Sequence, residues 1–496
     1  MERRVEYNSN PVVYQADGNG EIYNFSNESI DGSFKADEKM TARVSYTIQK
    51  SLRRLNVLGN HMTVLTRACT SLANQGHGPC IAVTPSVGMV DEKVNIDIRG
   101  LNAKQIVTVV ADVEENGIQF ESRCVYQADG NGEINNFSNE SVDGSFKGIE
   151  PMGLFWSLHC VSAPKKYARL VKKDVSTPMN FSIKVYPDNQ NKATLIHQPL
   201  TETRVQRFYQ KPGVRRIPLT GRFKGAIFVP EGEGPFPGVI DLYGGLVSLI
   251  ETRAALLASH GYATLALSYL HGEGLPDMLY DADFNYVKEA YEWFMKEDYI
   301  DKNRLGIVGL CFGGFLSLAL ASVLPQVRAV VNINGFSFTP EVNKINCDWE
   351  KWLDKNDVLC TEEGLVISDV YMLKNSWPVP AWQHGAKILV IVAEDDKQVH
   401  PKCHTLYYES CPPQFKENIR IFRYPGAGHM IEPPYSPHYR AVTPGRKRLR
   451  TINFIPEKFH DEDMMTGGWP DTHAHAQEDS WMKILNFLEE NVKNVS

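Results

Sequence analysis

The chain of 496 residues is 43% hydrophobic and carries a formal net charge of -7 with no dominant charged block; this length calls for two cores rather than one, and the balance excludes the basic stripe of a nucleic-acid partner. Its nine cysteines are odd in number, scattered and without a CxxC pair, which argues against a disulfide framework or a cysteine zinc site and for a reducing compartment. No apolar run is long enough to span a bilayer and no signal-peptide core follows Met1, so a soluble intracellular protein without a transmembrane segment is expected.

In chain order, residues 13–35 recur almost unchanged at 125–147, the copies differing only where Tyr23 becomes Asn135 and Ile30 becomes Val142. Two copies are not a solenoid, which needs several units of regular period. The first copy, within residues 1–39, reads as a local duplication and is expected to be poorly ordered. The Asp-Gly-Asn-Gly-Glu-Ile stretch invites an EF-hand reading, but that frame puts Gln127 at the first ligand position and Ser138 where a bidentate Glu belongs. A hairpin turn is expected there instead, and no metal site. Residues 40–79 carry Arg43, Lys50, Arg53, Arg54 and Arg67 with no Asp or Glu. That is the composition of a mitochondrial targeting segment if translation starts at Met40, or in shorter form at Met62, and of a basic linker in a cytoplasmic protein otherwise.

Composition shifts at about Cys80. Val94, Ile96 and Ile98 alternate with polar neighbours, and further short runs at 119–125, 155–161 and 179–185 are separated by polar turns, the pattern of an all-β sandwich over residues 80–204. From 205 to 496 strands alternate with helices. Strands are expected at 237–242, 263–268, 305–310, 327–333, 388–393 and 419–422, and helices at 251–260, 284–295 and 478–492, which implies a mostly parallel, doubly wound α/β sheet.

The run Leu305-Gly-Ile-Val-Gly-Leu-Cys311-Phe-Gly-Gly314 ends a strand abruptly with glycines two before and two after a cysteine. This fits the nucleophile elbow of an α/β-hydrolase, with a thiol where serine is usual. A helix N-terminus aimed at such a thiol favours its thiolate and a developing oxyanion. The alternative is a buried structural cysteine, so partners must decide. In this architecture the acid follows the nucleophile and the histidine comes last. The strand at 388–393 empties into Glu394-Asp395-Asp396, with Asp396 at the usual position and Asp395 the fallback. His429 follows the next strand in Pro425-Gly-Ala-Gly-His429. Cys311, Asp396 and His429 are therefore the candidate triad, and the amides of Phe312 and of Gly245 or Leu246, after the strand at 237–242, the candidate oxyanion hole.

These residues and several longer stretches closely resemble one family, the acyl-CoA thioesterases grouped with bile acid-CoA:amino acid N-acyltransferase. The stretches are Pro151-Met-Gly-Leu-Phe-Trp-Ser157, Pro212-Gly-Val-Arg-Arg-Ile-Pro218, Gly234-Pro-Phe-Pro-Gly-Val-Ile-Asp-Leu242, Glu251-Thr-Arg-Ala-Ala-Leu-Leu-Ala258, Tyr424-Pro-Gly-Ala-Gly-His-Met-Ile-Glu-Pro-Pro-Tyr435 and Ala474-His-Ala-Gln477. The resemblance implies a β-sandwich before an α/β-hydrolase domain, a triad falling on Cys311, Asp396 and His429, and cleavage of acyl-CoA with transfer of the acyl group to glycine, taurine or water. Cysteine at the nucleophile marks the N-acyltransferase branch. Coenzyme A belongs to the substrate, so no separate cofactor is expected. The chain departs from the family pattern in its loop Gly244-Gly-Leu-Val-Ser248, in a longer segment 438–465 with the basic cluster Arg446-Lys-Arg-Leu-Arg450, and in ending Asn494-Val-Ser496 without a peroxisomal tripeptide. For that basic cluster a solvated loop is the favoured reading over contact with CoA phosphates. A dienelactone-hydrolase-like ester hydrolase and an inactive acyl-CoA-binding protein are the competing readings.

Overall fold

The computed structural model describes residues 78–494 apart from 163–166, 191–197, 341–352, 372–375 and 453, together with the backbone of Gln15–Ala16 and Ile22–Tyr23. That antiparallel pair belongs to a unit, Met1–Leu65, separate from the unit Thr66–Ser496 that holds everything else described here. Apart from that pair, residues 1–77 lie outside the described residues.

The first half of the larger unit is built from strands β1 (Cys80–Thr84), β2 (Val87–Met89), β3 (Asn95–Arg99), β4 (Ile106–Glu115), β5 (Ile118–Gln127), β6 (Ile134–Asn135), β7 (Met179–Pro187) and β8 (Thr201–Phe208). One sheet runs β5–β4–β7–β8–β2, with His159–Cys160 and Asp143–Gly144 added to β5; the other is β1–β3–β6. Their facing residues share one core: Val94, Ile96 and Ile98 pack in a cluster with Val109, Phe120, Phe181 and Ile183. Alternating apolar residues bury one face of each strand, which is the physical content of a sandwich. Asn116 and Gly117, both at positive φ (55° and 75°), make the two-residue turn that joins β4 to β5.

Two expectations in this half are corrected. The turn after β5 is not a hairpin: β6 pairs with β3 in the other sheet. The edge of β5 that a hairpin partner would use is taken by His159–Cys160 and Asp143–Gly144. The Asp129 carboxylate instead accepts the amides of Asn131 (2.8 Å) and Glu133 (2.9 Å), shaping a crossover between sheets. In the first copy of the repeat, by contrast, Gln15–Ala16 and Ile22–Tyr23 do pair antiparallel. Nor is 155–161 one strand. Gly153–Trp156 is a helical turn with every residue buried, and only His159–Cys160 is extended. A strand buries alternate residues on one face, whereas this turn sinks two consecutive rings, setting Phe155 against Phe181 at 5.0 Å and Trp156 against Phe146 at 5.7 Å.

The second half is an eight-stranded sheet of β9 (Arg215–Leu219), β10 (Lys224–Val229), β11 (Phe236–Leu242), β12 (Ala263–Ser268), β13 (Ile300–Leu310), β14 (Ala329–Ile333), β15 (Lys387–Ala393) and β16 (Ile419–Tyr424), in the order β9–β10–β12–β11–β13–β14–β15–β16. The first two joins are antiparallel and the rest parallel. Helices α1 (Thr252–Ser259), α2 (Phe284–Phe294), α3 (Phe312–Val323) and α4 (Pro470–Leu488) flank it. Apolar residues of α2 and α3 join one core cluster and those of α1 and α4 another, so both faces are covered. This strand order and two-sided cover are those of an α/β-hydrolase. α4 starts eight residues earlier than the sequence indicated. Its first turns bury His473 and Gln477 beside the small Ala474 and Ala476, and offer no stripe of large apolar side chains.

The glycines around Cys311 are needed for close approach. A Cβ on Gly313 would lie 2.5 Å from the Tyr243 carbonyl oxygen and nearer still to that of Leu242. Gly313→Ala is therefore expected to separate α3 from β11 at a cost of about 1–3 kcal/mol. Thermal denaturation would show the lowered Tm; an unchanged Tm would mean that the elbow tolerates the added atom.

Candidate active site

Every segment nominated from the sequence reaches the same edge of the sheet. β11 runs into Tyr243-Gly244-Gly245, β13 into Cys311, β14 into Asn334, β15 into Asp396 and β16 into the loop bearing His429, all at the carboxyl ends of parallel strands. Cys311 occupies the sharp turn between β13 and α3 with φ 59° and ψ -125°, a conformation that non-glycine residues rarely adopt. Its amide donates to the Ile333 carbonyl (2.9 Å), and its thiol is free and half-buried.

His429 Nδ1 lies 2.7 Å from Asp396 Oδ2, both side chains essentially inaccessible. The other carboxylate oxygen accepts the amides of Gln398 (2.7 Å) and Val399 (3.0 Å), which fixes the plane of the acid. Asp395, the fallback, points elsewhere, meeting Lys397, Arg440 and the Gly468 amide. His429 Nε2 has no hydrogen-bond partner among the described residues. The Cys311 sulfur is nevertheless close enough to bias the charge of the ring.

Electrostatics favour a charged His429. Burial alone would lower its pKa, but the Asp396 carboxylate and then Cys311 raise it to about 10. A group whose native pKa lies above its unfolded value of 6.5 adds stability that is complete below that value and is lost as pH rises through about 10. Urea denaturation of wild type and His429→Gln across that range should show the difference in stability shrinking with rising pH; a difference that grows instead would contradict this charge assignment.

Sequence reasoning missed the residues that lock the loops together. Asn334, buried and at φ 50°, accepts the Ala393 amide (2.7 Å) through its side-chain oxygen and donates to the His429 carbonyl (2.7 Å), tying β14, β15 and the histidine loop. His271 Nε2 sits 2.8 Å from the Gly245 carbonyl oxygen. Carbonyl and following amide point oppositely across a trans peptide, so this contact turns the Leu246 N–H away from His271. Gly244 passes closest to the nucleophile, where a Cβ would lie 3.6 Å from the Cys311 sulfur. Phe312 opens α3 directly beside it.

Cys311 and His429 face a cavity of about 470 Å³ walled by Tyr243 to Glu251, by Arg169 and its neighbours from the sandwich half, and by Val442 to Pro444 with Arg448. Arg169 reaches in from the sandwich and bonds Glu432 (2.8 Å) on the histidine loop, and Tyr243 bonds the same carboxylate. A much smaller apolar pocket of about 30 Å³ opens beside Cys311 against Phe312, Phe336 and Tyr371.

Residues 91–221 match the acyl-CoA thioester hydrolase/BAAT N-terminal region, and residues 282–494 match the BAAT/acyl-CoA thioester hydrolase C-terminal region. The chain belongs to this family. Among curated relatives it is 35% identical over 427 residues to bile acid-CoA:amino acid N-acyltransferase of Mus musculus, covering 83% of this chain and 97% of that one. It is 36% identical to acyl-coenzyme A amino acid N-acyltransferase 1 of Mus musculus, with the same coverage, and 31% identical to acyl-coenzyme A thioesterase 2, mitochondrial, of Homo sapiens, covering 88% of each chain. Among solved structures, a putative dienelactone hydrolase from Klebsiella pneumoniae overlaps 56% of this chain and 98% of its own at 17% identity and a TM-score of 0.35. As a BAAT-family chain it carries the sandwich and hydrolase halves in the order that the two family regions prescribe.

Proposed function

We propose that this protein cleaves acyl-CoA thioesters through an acyl-Cys311 intermediate and passes the acyl group to an amino-acid amine, with water as the competing acceptor. The observation that carries the reading is the buried Asp396–His429 pair whose free Nε2 shares a cavity with a strained, accessible thiol. It is supported by family membership and by relatives named both as N-acyltransferases and as thioesterases.

The chemistry balances as two half-reactions. In the first, Cys311 attacks the thioester carbonyl as its proton passes to His429. The amide of Phe312 and that of Gly245 or Leu246 receive the oxyanion. The Cys311 S–C bond forms, the bond from carbon to the CoA sulfur breaks, and His429 gives its proton to the departing CoA thiolate. In the second, a neutral amine attacks the acyl-cysteine. The C–N bond forms, Cys311 departs as thiolate, and the surplus amine proton passes to His429, restoring the starting pair. No cofactor beyond the CoA of the substrate enters. A thioester is attacked by amines more readily than an oxygen ester is, which is the chemical reason for cysteine in a transferase.

The test is intact-protein mass spectrometry of freshly reduced protein mixed with a long-chain acyl-CoA, with and without glycine or taurine, followed by peptide mapping. An acyl adduct on the Cys311 peptide, discharged faster by the amine with N-acyl product, is the expected result. An adduct decaying at the same rate without amine would leave a thioesterase. No adduct and no CoA release would overturn the covalent mechanism.

A further inference from the structure

The charged residues around the active-site cavity do not balance. Arg169 is committed to Glu432 (2.8 Å), Lys172 to Glu115 (2.8 Å) and Glu251 to Arg216 (2.6 Å). Two lining cations, Lys173 and Arg448, have no carboxylate partner among the described residues, and Lys173 is exposed whereas Arg448 is half-buried. The basic cluster is thus not simply a solvated loop. Residues Arg446–Leu449 form a helical turn pinned by Leu449, which is fully buried. Arg446 turns outward to Asp461 (2.7 Å), Lys447 and Arg450 are exposed, and Arg448 alone of the four lines the cavity with Cys311 and His429. Its charge is felt by His271, the residue that holds Gly245. A guanidinium drawn partly out of water with no carboxylate is a standing cost that an anionic ligand would offset.

We infer that Arg448 binds the acid group of the acceptor amino acid, the carboxylate of glycine or the sulfonate of taurine, while the amine attacks the acyl group on Cys311. This inference rests on the acyl-transfer reading above. One carbon in glycine and two in taurine separate amine from acid. An amine placed at the Cys311 thioester therefore keeps its anion close by, within the cavity that Cys311 and Arg448 both line. The CoA phosphates are the other source of anionic oxygen, but the pantetheine arm holds them far from the reacting carbonyl. A guanidinium offers either acid group two parallel N–H donors.

The full-length protein, its Arg448→Gln variant and its Arg448→Lys variant are compared at saturating acyl-CoA with glycine, taurine and uncharged glycinamide. Arg448→Gln should raise KM for glycine and taurine by roughly ten- to a hundredfold. The preference for glycine over glycinamide should collapse by the same factor, and Arg448→Lys should restore part of it. Because that preference is a ratio within one protein, it reports on the acceptor even if a variant is partly misfolded. A raised KM for acyl-CoA with the glycine preference intact would assign Arg448 to CoA phosphate and overturn the inference, as would a preference unmoved by either variant. Wild type that releases CoA but forms no N-acyl product would overturn the acceptor site while leaving thioester cleavage standing. Failure to release CoA would overturn the underlying reading itself.

Discussion

Cys311→Ala is expected to abolish the acyl adduct and to lower CoA release from acyl-CoA by about 10⁴- to 10⁶-fold, the scale on which removal of a nucleophile acts in hydrolases built on a triad. Of the other hydroxyls on the cavity wall, Tyr243 is bonded to Glu432, Thr443 donates to Asp463 (2.6 Å), and Ser248 sits in the loop after β11 rather than at the elbow that Cys311 occupies. The backbone strain at Cys311 does not depend on the sulfur, and the thiol has no strong hydrogen bond to lose, so Tm should hold while activity disappears. Release of CoA at more than a tenth of the wild-type rate would show that the chemistry runs without the thiol. Cys311→Ser makes the complementary point. It keeps a nucleophile but forms an oxygen ester, so the ratio of N-acyl product to free acid should fall even where total turnover survives.

The hydrolase half was legible because its central strands are buried on both faces. Such strands read as unbroken apolar runs: Ile388 to Ala393 is uninterrupted, and every one of these residues is inaccessible. What escaped was structure whose pattern is set by distant partners. The first turns of α4 bury His473, which accepts the Gly428 amide at 3.1 Å, and no apolar periodicity betrays such a face. The crossover after β5 escaped because one sequence, Gln-Ala-Asp-Gly-Asn-Gly-Glu-Ile, pairs with itself in one copy and bridges two sheets in the other. Local turn chemistry fixes the bend, and tertiary competition for the edge of β5 decides what the bend connects.

The site divides in the same way. Cys311, Asp396 and His429 could be named because each ends a recognisable strand, and the architecture dictates their order. The structure brings Asp396 rather than Asp395 to His429, through contacts that spacing implied but did not require. Asn334 and His271 carry no comparable signal. Asn334 acts on a residue 95 positions away and His271 on one 26 positions away, and neither separation has a period that a motif could encode. The available hint was chemical: Asn332-Ile333-Asn334-Gly335 sets two amides at the end of an otherwise apolar strand. Buried amides of that kind persist where they are hydrogen-bonded, which makes them candidates for holding a site together.

Asp396→Asn is expected to lower the rate of acyl-adduct formation at neutral pH by about 10⁴-fold with the fold intact. The new amide can face only one way. The amides of Gln398 and Val399 both donate to Asp396 Oδ1, so only the carbonyl oxygen of an asparagine fits there, and its NH₂ group is forced toward His429 Nδ1. Nδ1 must then accept a hydrogen bond, which places the ring proton on Nε2, the nitrogen that has to take the thiol proton. The substitution also removes the charge that does most to raise His429 to about 10, leaving burial to lower it. Both changes weaken His429 as the acceptor of the thiol proton on which the first half-reaction depends. Quenched-flow mass spectrometry of adduct formation between pH 6 and 9 would measure the loss. A deficit of less than tenfold, in a variant whose Tm matches wild type, would mean that Asp396 supports the loop and not the chemistry.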